Sequence, residues 1–209
     1  MDSSAWIDNY LQGVAQLVAM LPVEQIEAAA DVLLDVWRRQ AGVYVCGNGG
    51  SAAIASHFAG DLNKGANVAG RRRFRAIALV DNVPALMAWS NDDGYEAGLV
   101  EQLRNFVQPD DLVIGVSGSG NSVNVLAAMR LARQAGARTL ALCGFDGGQL
   151  RQLSEVAVHI PSHNMEQVED AFSVVCHALL HTLRRRIRQE PLSAIPLLAS
   201  QVDAYQEQD

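Results

Sequence analysis

The chain has 209 residues, 49% of them apolar, enough for one well-cored domain with helical additions and a little short for two. Its formal net charge of −7 argues against general binding to nucleic acid or to an anionic membrane. No apolar run reaches transmembrane length, and no secretory signal is visible, because Asp2 and the helical pattern after it do not fit one.

The first forty residues read as two helices. Ile7, Tyr10/Leu11, Val14, Leu17/Val18 and Leu21 recur at helical spacing; Pro22 interrupts; Ile26, Ala29/Ala30, Leu33/Leu34 and Trp37 form a second stripe. These helices precede any strand and either cover the domain or pair with another subunit. Five short, nearly continuous apolar runs follow: VYVC (43–46), AIALV (76–80), LVIGVS (112–117), TLALC (139–143) and VAVHI (156–160). Such runs suit strands of a parallel sheet covered on both faces. Helical patterns at 51–63, 96–106 and 122–135 alternate with them, which predicts a doubly wound α/β sheet. A long helix over about 165–189 follows the last strand, Pro191 ends it, and the apolar spacing of 192–206 predicts a last short helix.

The chain carries three cysteines, none in a CxxC pair. Cys46 and Cys143 end apolar runs, where cysteine behaves as a small buried hydrophobe, so a reduced, cytoplasmic protein is expected. The basic runs Arg71–Arg73 and Arg184–Arg186 fit solvated surface or charge at a helix C-terminus, with phosphate steering or subunit contacts as the alternatives.

Three loops fall where ligands bind in open parallel sheets, beyond the carboxyl ends of the strands. The first is Gly47-Asn48-Gly49-Gly50-Ser51, whose glycines permit a sharp turn into a helix N-terminus that favours anions. It is neither a dinucleotide GxGxxG nor a Walker loop, and an ordinary strand–helix turn explains it equally well. The second is Ser117-Gly118-Ser119-Gly120-Asn121-Ser122. One cap needs one such residue; four hydroxyl or amide side chains with two glycines make a phosphate cradle. The third, Ser90-Asn91-Asp92-Asp93 before another helix, reads as a cap or as a hydroxyl-binding site through Asn91 and Asp92. His57 and Asp61 stand four apart on one helix face, able to serve as base, acid or metal ligands or as a structural hydrogen-bonded pair. His177 and His181 share the same spacing on the long helix, in an apolar context that by itself suits a core histidine; His159 and His163 receive no role.

Taken together and in order, CGNGGS, SHFAGDL, ND, SGSGNS, GFDGG and EQVEDAFSVVCH resemble the SIS (sugar isomerase) domain family and, within it, the phosphoheptose isomerases, over roughly residues 5–188. The resemblance implies a flavodoxin-like five-stranded parallel sheet between helices. It divides the chain into N-terminal oligomerisation helices (1–40), the SIS domain proper (41–190) and a C-terminal tail (191–209). It implies a homotetramer with clefts shared between subunits, and conversion of sedoheptulose 7-phosphate to D-glycero-D-manno-heptose 7-phosphate. Carried over, substrate contacts fall on Asn48, Gly49, Gly50, Ser51, Asn91, Asp92, Ser117, Gly118, Ser119, Ser122 and Glu169. The catalytic pair falls on Asp61 and His177, and zinc ligands on His57, Asp61, Glu169 and His177.

Three departures stand out. Asp61 replaces a glutamate and sits about 1 Å further back, a displacement that can cost on the order of a hundredfold in rate. Glu169 replaces a glutamine, and Gly118 lacks the family's hydroxyl. Isomerisation through a cis-enediol needs a base for the carbon-bound proton and an acid or metal for the oxygen, here Asp61 and His177. Metal ligation by Asp61 competes with base catalysis. Eight helical residues span about 12 Å, so Glu169 and His177 meet one ion only if the helix starts irregularly or the two come from different subunits. Two other readings are a binding protein of the family's replication-initiator-associating branch, and a sensor of, or isomerase for, another sugar phosphate.

Overall fold

The computed structural model describes residues 3–191. The two N-terminal stripes form α1 (Ser3–Ala19) and α2 (Val23–Arg39), parted at Pro22. Glu24 in the first turn of α2 and Arg38 and Arg39 in its last turn complement the helix dipole. The stripe of α2 is buried through Ala29, Ala30, Leu33, Leu34 and Trp37. That of α1 buries Leu17 while Trp6, Ile7 and Leu11 are exposed on the single chain.

All five apolar runs are strands: β1 (Gly42–Cys46), β2 (Arg75–Ala78), β3 (Leu112–Ser117), β4 (Arg138–Cys143) and β5 (Val156–His159). They pair in parallel in the order β2-β1-β3-β4-β5. Alternate side chains enter two cores, as the period of two requires. Val43 and Val45 face a layer of α2, α3 (Gly50–Gly60) and α8 (Met165–Gln189), whereas Tyr44 and Cys46 face the opposite layer. That second layer holds α5 (Ala97–Arg104), α6 (Val123–Gln134) and α7 (Gly148–Leu153). Central β1 and β3 are buried along their whole length, while edge strand β2 leaves Ile77 46% exposed. No helix among the described residues is long and apolar enough to cross a membrane.

The structure corrects one local reading. Ser90, Asn91 and Asp92 do not precede a helix as a cap; they close α4 (Val83–Asp92), a helix with no fully buried residue, whose apolar Val83, Met87 and Trp89 are exposed on the single chain. Its start is nonetheless written locally, with Asn82 accepting a hydrogen bond from the amide of Ala85 and Pro84 in the first turn. The helix expected over 51–63 divides into α3 and a π-helical turn, Asp61–Gly65. The helix expected at 192–206 lies outside the described residues.

Candidate active site

In this strand order β1 and β3 are neighbours whose connections leave in opposite directions, so a crevice opens beyond their carboxyl ends. The first two candidate loops meet there. Gly49 precedes α3 with φ of 54°, a left-handed value that favours glycine. Gly49 and Gly50 are exposed, Asn48 is half-buried and Ser51 is buried. Asn48 donates from Nδ2 to Asn124 Oδ1 at 2.9 Å, and Asn124 Nδ2 returns the bond to Asn48 Oδ1 at 2.8 Å. This reciprocal amide pair ties the first loop to the second. Each amide keeps one donor for another partner, but only Asn48 keeps a lone pair, because Asn124 Oδ1 also accepts from the amide of Val125 at 3.0 Å.

The second loop is fixed from within and from behind. Ser117 Oγ lies 3.1 Å from Ser122 Oγ and accepts from the amide of Gly120 at 3.1 Å; Ser119 Oγ accepts from the amide of Asn121 at 3.2 Å. The GFDGG turn forms its back wall: Gly144 N donates to Gly118 O, Leu150 N to Gly120 O, and Gln149 N to Asn121 Oδ1. Gly120 has φ of 66° and its Cα faces the carbonyl of Gly147 so closely that any Cβ would collide with it. Phe145, a non-glycine with φ of 47°, is held in that turn by its amide bond to Ser162 O at 2.9 Å and by His159 Nε2 on its carbonyl at 2.8 Å. Above Gly118, where a hydroxyl side chain was missed, the thioether of Met165 fills the space a Cβ would need.

Two turns along α3 stands the histidine cluster. His57 Nε2 is 3.0 Å from His177 Nε2 and 3.2 Å from Asp61 Oδ2, and His177 Nε2 is 3.7 Å from that same oxygen. Asp61 opens the π-turn, whose mark is the amide of Ala66 on the carbonyl of Asp61 at 2.9 Å; such turns recur at functional sites. The imidazoles are more than half exposed, but Asp61 Oδ2 is buried without a well-aligned hydrogen bond. The oxygen lies close to both rings yet off their donor axes, so proximity rather than hydrogen bonding describes it. Three ligand atoms of His57, Asp61 and His177 lie within 4.8 Å of one another. Two imidazole nitrogens, a carboxylate oxygen and an open side fit the donor set of zinc.

Glu169 stands apart. α8 is regular from Met165, which removes the irregular start as a route for Glu169 to join His177. The Glu169 carboxylate lies against Gly50, where any Cβ would collide with it, at the positive end of α3. Asn91 and Asp92 are exposed on α4, and Asn91 Nδ2 bonds Asp92 Oδ1 at 2.8 Å. Within one chain, then, the first loop, the serine loop and Glu169 gather at one end of the crevice, and His57, Asp61 and His177 gather two turns away. Sequence reasoning missed Asn124, because its partner is 76 residues away and no spacing rule links them.

An open parallel sheet with a hydroxyl-rich loop at its switch point defines an α/β ligand-binding domain. Residues 6–144 match the SIS domain family. The chain is 38% identical over 181 residues to the lincomycin biosynthesis protein LmbN of Streptomyces lincolnensis, covering 84% of this chain and 66% of that one. It is 35% identical over 186 residues to a phosphoheptose isomerase of Akkermansia muciniphila, covering 88% and 98%. The phosphoheptose isomerase structure from Neisseria gonorrhoeae superimposes with a TM-score of 0.82 at 26% identity, covering 88% of this chain and all of that one. The chain belongs to the SIS domain family, among its phosphoheptose isomerases.

Proposed function

We propose that the protein is a sugar-phosphate aldose–ketose isomerase that interconverts sedoheptulose 7-phosphate and D-glycero-D-manno-heptose 7-phosphate. The convergence of His57, Asp61 and His177 at one point carries this reading. The isomerase names of the relatives favour it over the protein-binding alternative. Ser117, Ser119, Ser122 and the amides of the second loop hold the phosphate, with Gly118 contributing backbone alone. Asn48, Gly49 and Gly50 line the sugar chain, and Glu169 accepts from its hydroxyls. Asp61 removes the proton from the carbon beside the carbonyl, and His177 donates to the carbonyl oxygen, giving the cis-enediol. Return of the proton to the neighbouring carbon and loss of the other hydroxyl proton complete the exchange. His57, Asp61 and His177 would hold a zinc ion, which when bound would supply Lewis-acid polarisation of the substrate oxygens in place of the proton from His177 and would make Asp61 a weaker base.

A homotetramer with sites between subunits belongs to the same proposal. It is supported by the exposed Trp6, Ile7 and Leu11 of α1 and Val83, Met87 and Trp89 of α4, and by the separation of Glu169 and of Asn91 and Asp92 from the cluster. Three buried free cysteines suit a reducing, cytoplasmic setting. The test is proton NMR of the protein with sedoheptulose 7-phosphate in D₂O, with zinc and after chelation. An aldose anomeric signal lost in Asp61→Asn supports the reading. Neither product nor carbon-bound exchange under either condition would end it.

A further inference from the structure

We infer that the groove between the π-turn and the C-terminal half of α8 is a second anion site, separate from the serine loop and suited to a phosphate dianion. α3 and α8 lie side by side in the same direction: Glu169 meets Gly50, His177 meets His57, and Leu180 and Arg184 meet Gly65. The loop end and the groove therefore lie at opposite ends of the helix pair, with the histidine cluster between. Gly50 to Lys64 is about 20 Å along the helix. The groove has a volume of about 820 Å³ and is lined by His57, Asp61, Lys64, Asn67, Arg184 and Arg188.

In a chain of net charge −7, three cations converge here. Among the described residues, none of them forms an ion pair with a carboxylate. Arg184 is half-buried, and its Nε donates to Gly65 O at 2.7 Å, which fixes the guanidinium plane. Arg184 and Arg188 share one face of α8, opposite Lys64, and Asn67 adds a neutral amide. Two helix ends nearby attract cations, but each carries only about half a charge. Terminal carbonyls of α8 are moreover already served from elsewhere, Arg71 donating to Arg188 O at 3.3 Å and the amide of Glu190 to Arg186 O and Ile187 O. A forked guanidinium, two exposed cations and an amide around an open volume are the chemistry of phosphate recognition. The occupant is a second molecule, inorganic phosphate or a phosphate ester, whose charge sits on the same wall as His57 and Asp61.

The experiment is a ³¹P NMR titration of the chelator-treated full chain with inorganic phosphate, and in parallel with sedoheptulose 7-phosphate. Two phosphates per chain are expected. Ser119→Ala/Ser122→Ala removes one; Lys64→Ala/Arg188→Ala weakens the other at least tenfold and leaves the first. Both groove substitutions are at exposed positions, and Lys64→Glu is the single-site control, with the same loss expected. Two ester molecules per chain mean that the groove reads a phosphoryl group on any carrier; one ester but two inorganic phosphates mean that it selects the free ion. A single phosphate per chain, or two-site binding unchanged in both groove variants, overturns the inference. Turnover in the isomerase assay is read separately, so failure here and failure of the isomerase reading are distinct.

Discussion

The two ends of the crevice are built on opposite plans. At the serine loop the backbone is pinned from within and behind: Ser117 and Ser119 accept from the amides of Gly120 and Asn121, and Gly144, Gln149 and Leu150 lock the loop from behind. At the histidine cluster two exposed imidazoles face each other over a carboxylate oxygen that is buried and without a well-aligned hydrogen bond. A wired loop offers preorganised donors to a charge that does not change during the reaction. A loose cluster with spare ligand atoms is a place where a proton, a metal or a partner completes the arrangement. Substitutions at the two ends should therefore fail differently.

The largest effect is expected at Asp61. Asp61→Asn should lower kcat by roughly 100- to 10,000-fold, the usual weight of a general base, while KM changes little. The readout is deuterium exchange at carbon under single-turnover conditions. A raised KM with kcat intact would place Asp61 in binding and erase the contrast between the ends.

Next comes zinc. At a hundredfold excess over Kd a folded-state ligand adds about 2.7 kcal/mol, so zinc should raise the melting temperature of the wild type by several degrees. His57→Ala should abolish the shift and Ser119→Ala should keep it. A shift that survives His57→Ala would mean that the metal sits elsewhere.

At the wired end, Ser119→Ala should raise KM by roughly ten- to a hundredfold, the weight of a hydrogen bond to a charged group, with kcat nearly unchanged. Asn124→Ala should cost about 1–3 kcal/mol in urea unfolding, because it strands the half-buried amide of Asn48. Loss of both loops' binding in that variant would show that the amide pair joins them into one unit.

The same contrast explains what was legible in the sequence. The strands and the buried helices announce themselves through period and run length, and both loops at the switch point through glycine and hydroxyl side chains that have few other reasons to cluster. The i, i+4 spacing put His57 and Asp61 on one face, and their meeting with His177, which the family resemblance alone could propose, is a fact of tertiary structure. α4 went unread although Val83, Leu86 and Met87 stand at helical spacing, because it buries Leu86 only in part and ends in the polar run Ser90–Asp92; the π-turn left no signal because its extra residue is a backbone event. Eight residues of regular helix hold Glu169 and His177 about 12 Å apart along α8, and its regular start leaves a second subunit as the remaining way for the two to share an ion.

The smallest predicted effect concerns the sheet on which both ends rest. Burial pushes the Cys46 thiol up to about 12 and the Cys143 thiol up to about 11. Both are neutral in the folded chain at pH 8 and should resist alkylation until the protein unfolds. The sign of the linkage follows from the raised folded values. The unfolded chain releases these protons first, near its ordinary thiol pKa of about 8.5. The contribution to stability is thus complete below that pH and is lost as pH rises through about 11 to 12. Urea midpoints should be flat from pH 7 to 8 and fall above 9, and Cys46→Ala/Cys143→Ala should flatten part of that fall. Rapid labelling of Cys46 in the native protein would mean that the sheet breathes beneath the first loop, and the rigidity claimed for the wired end would then have to come from the loops alone.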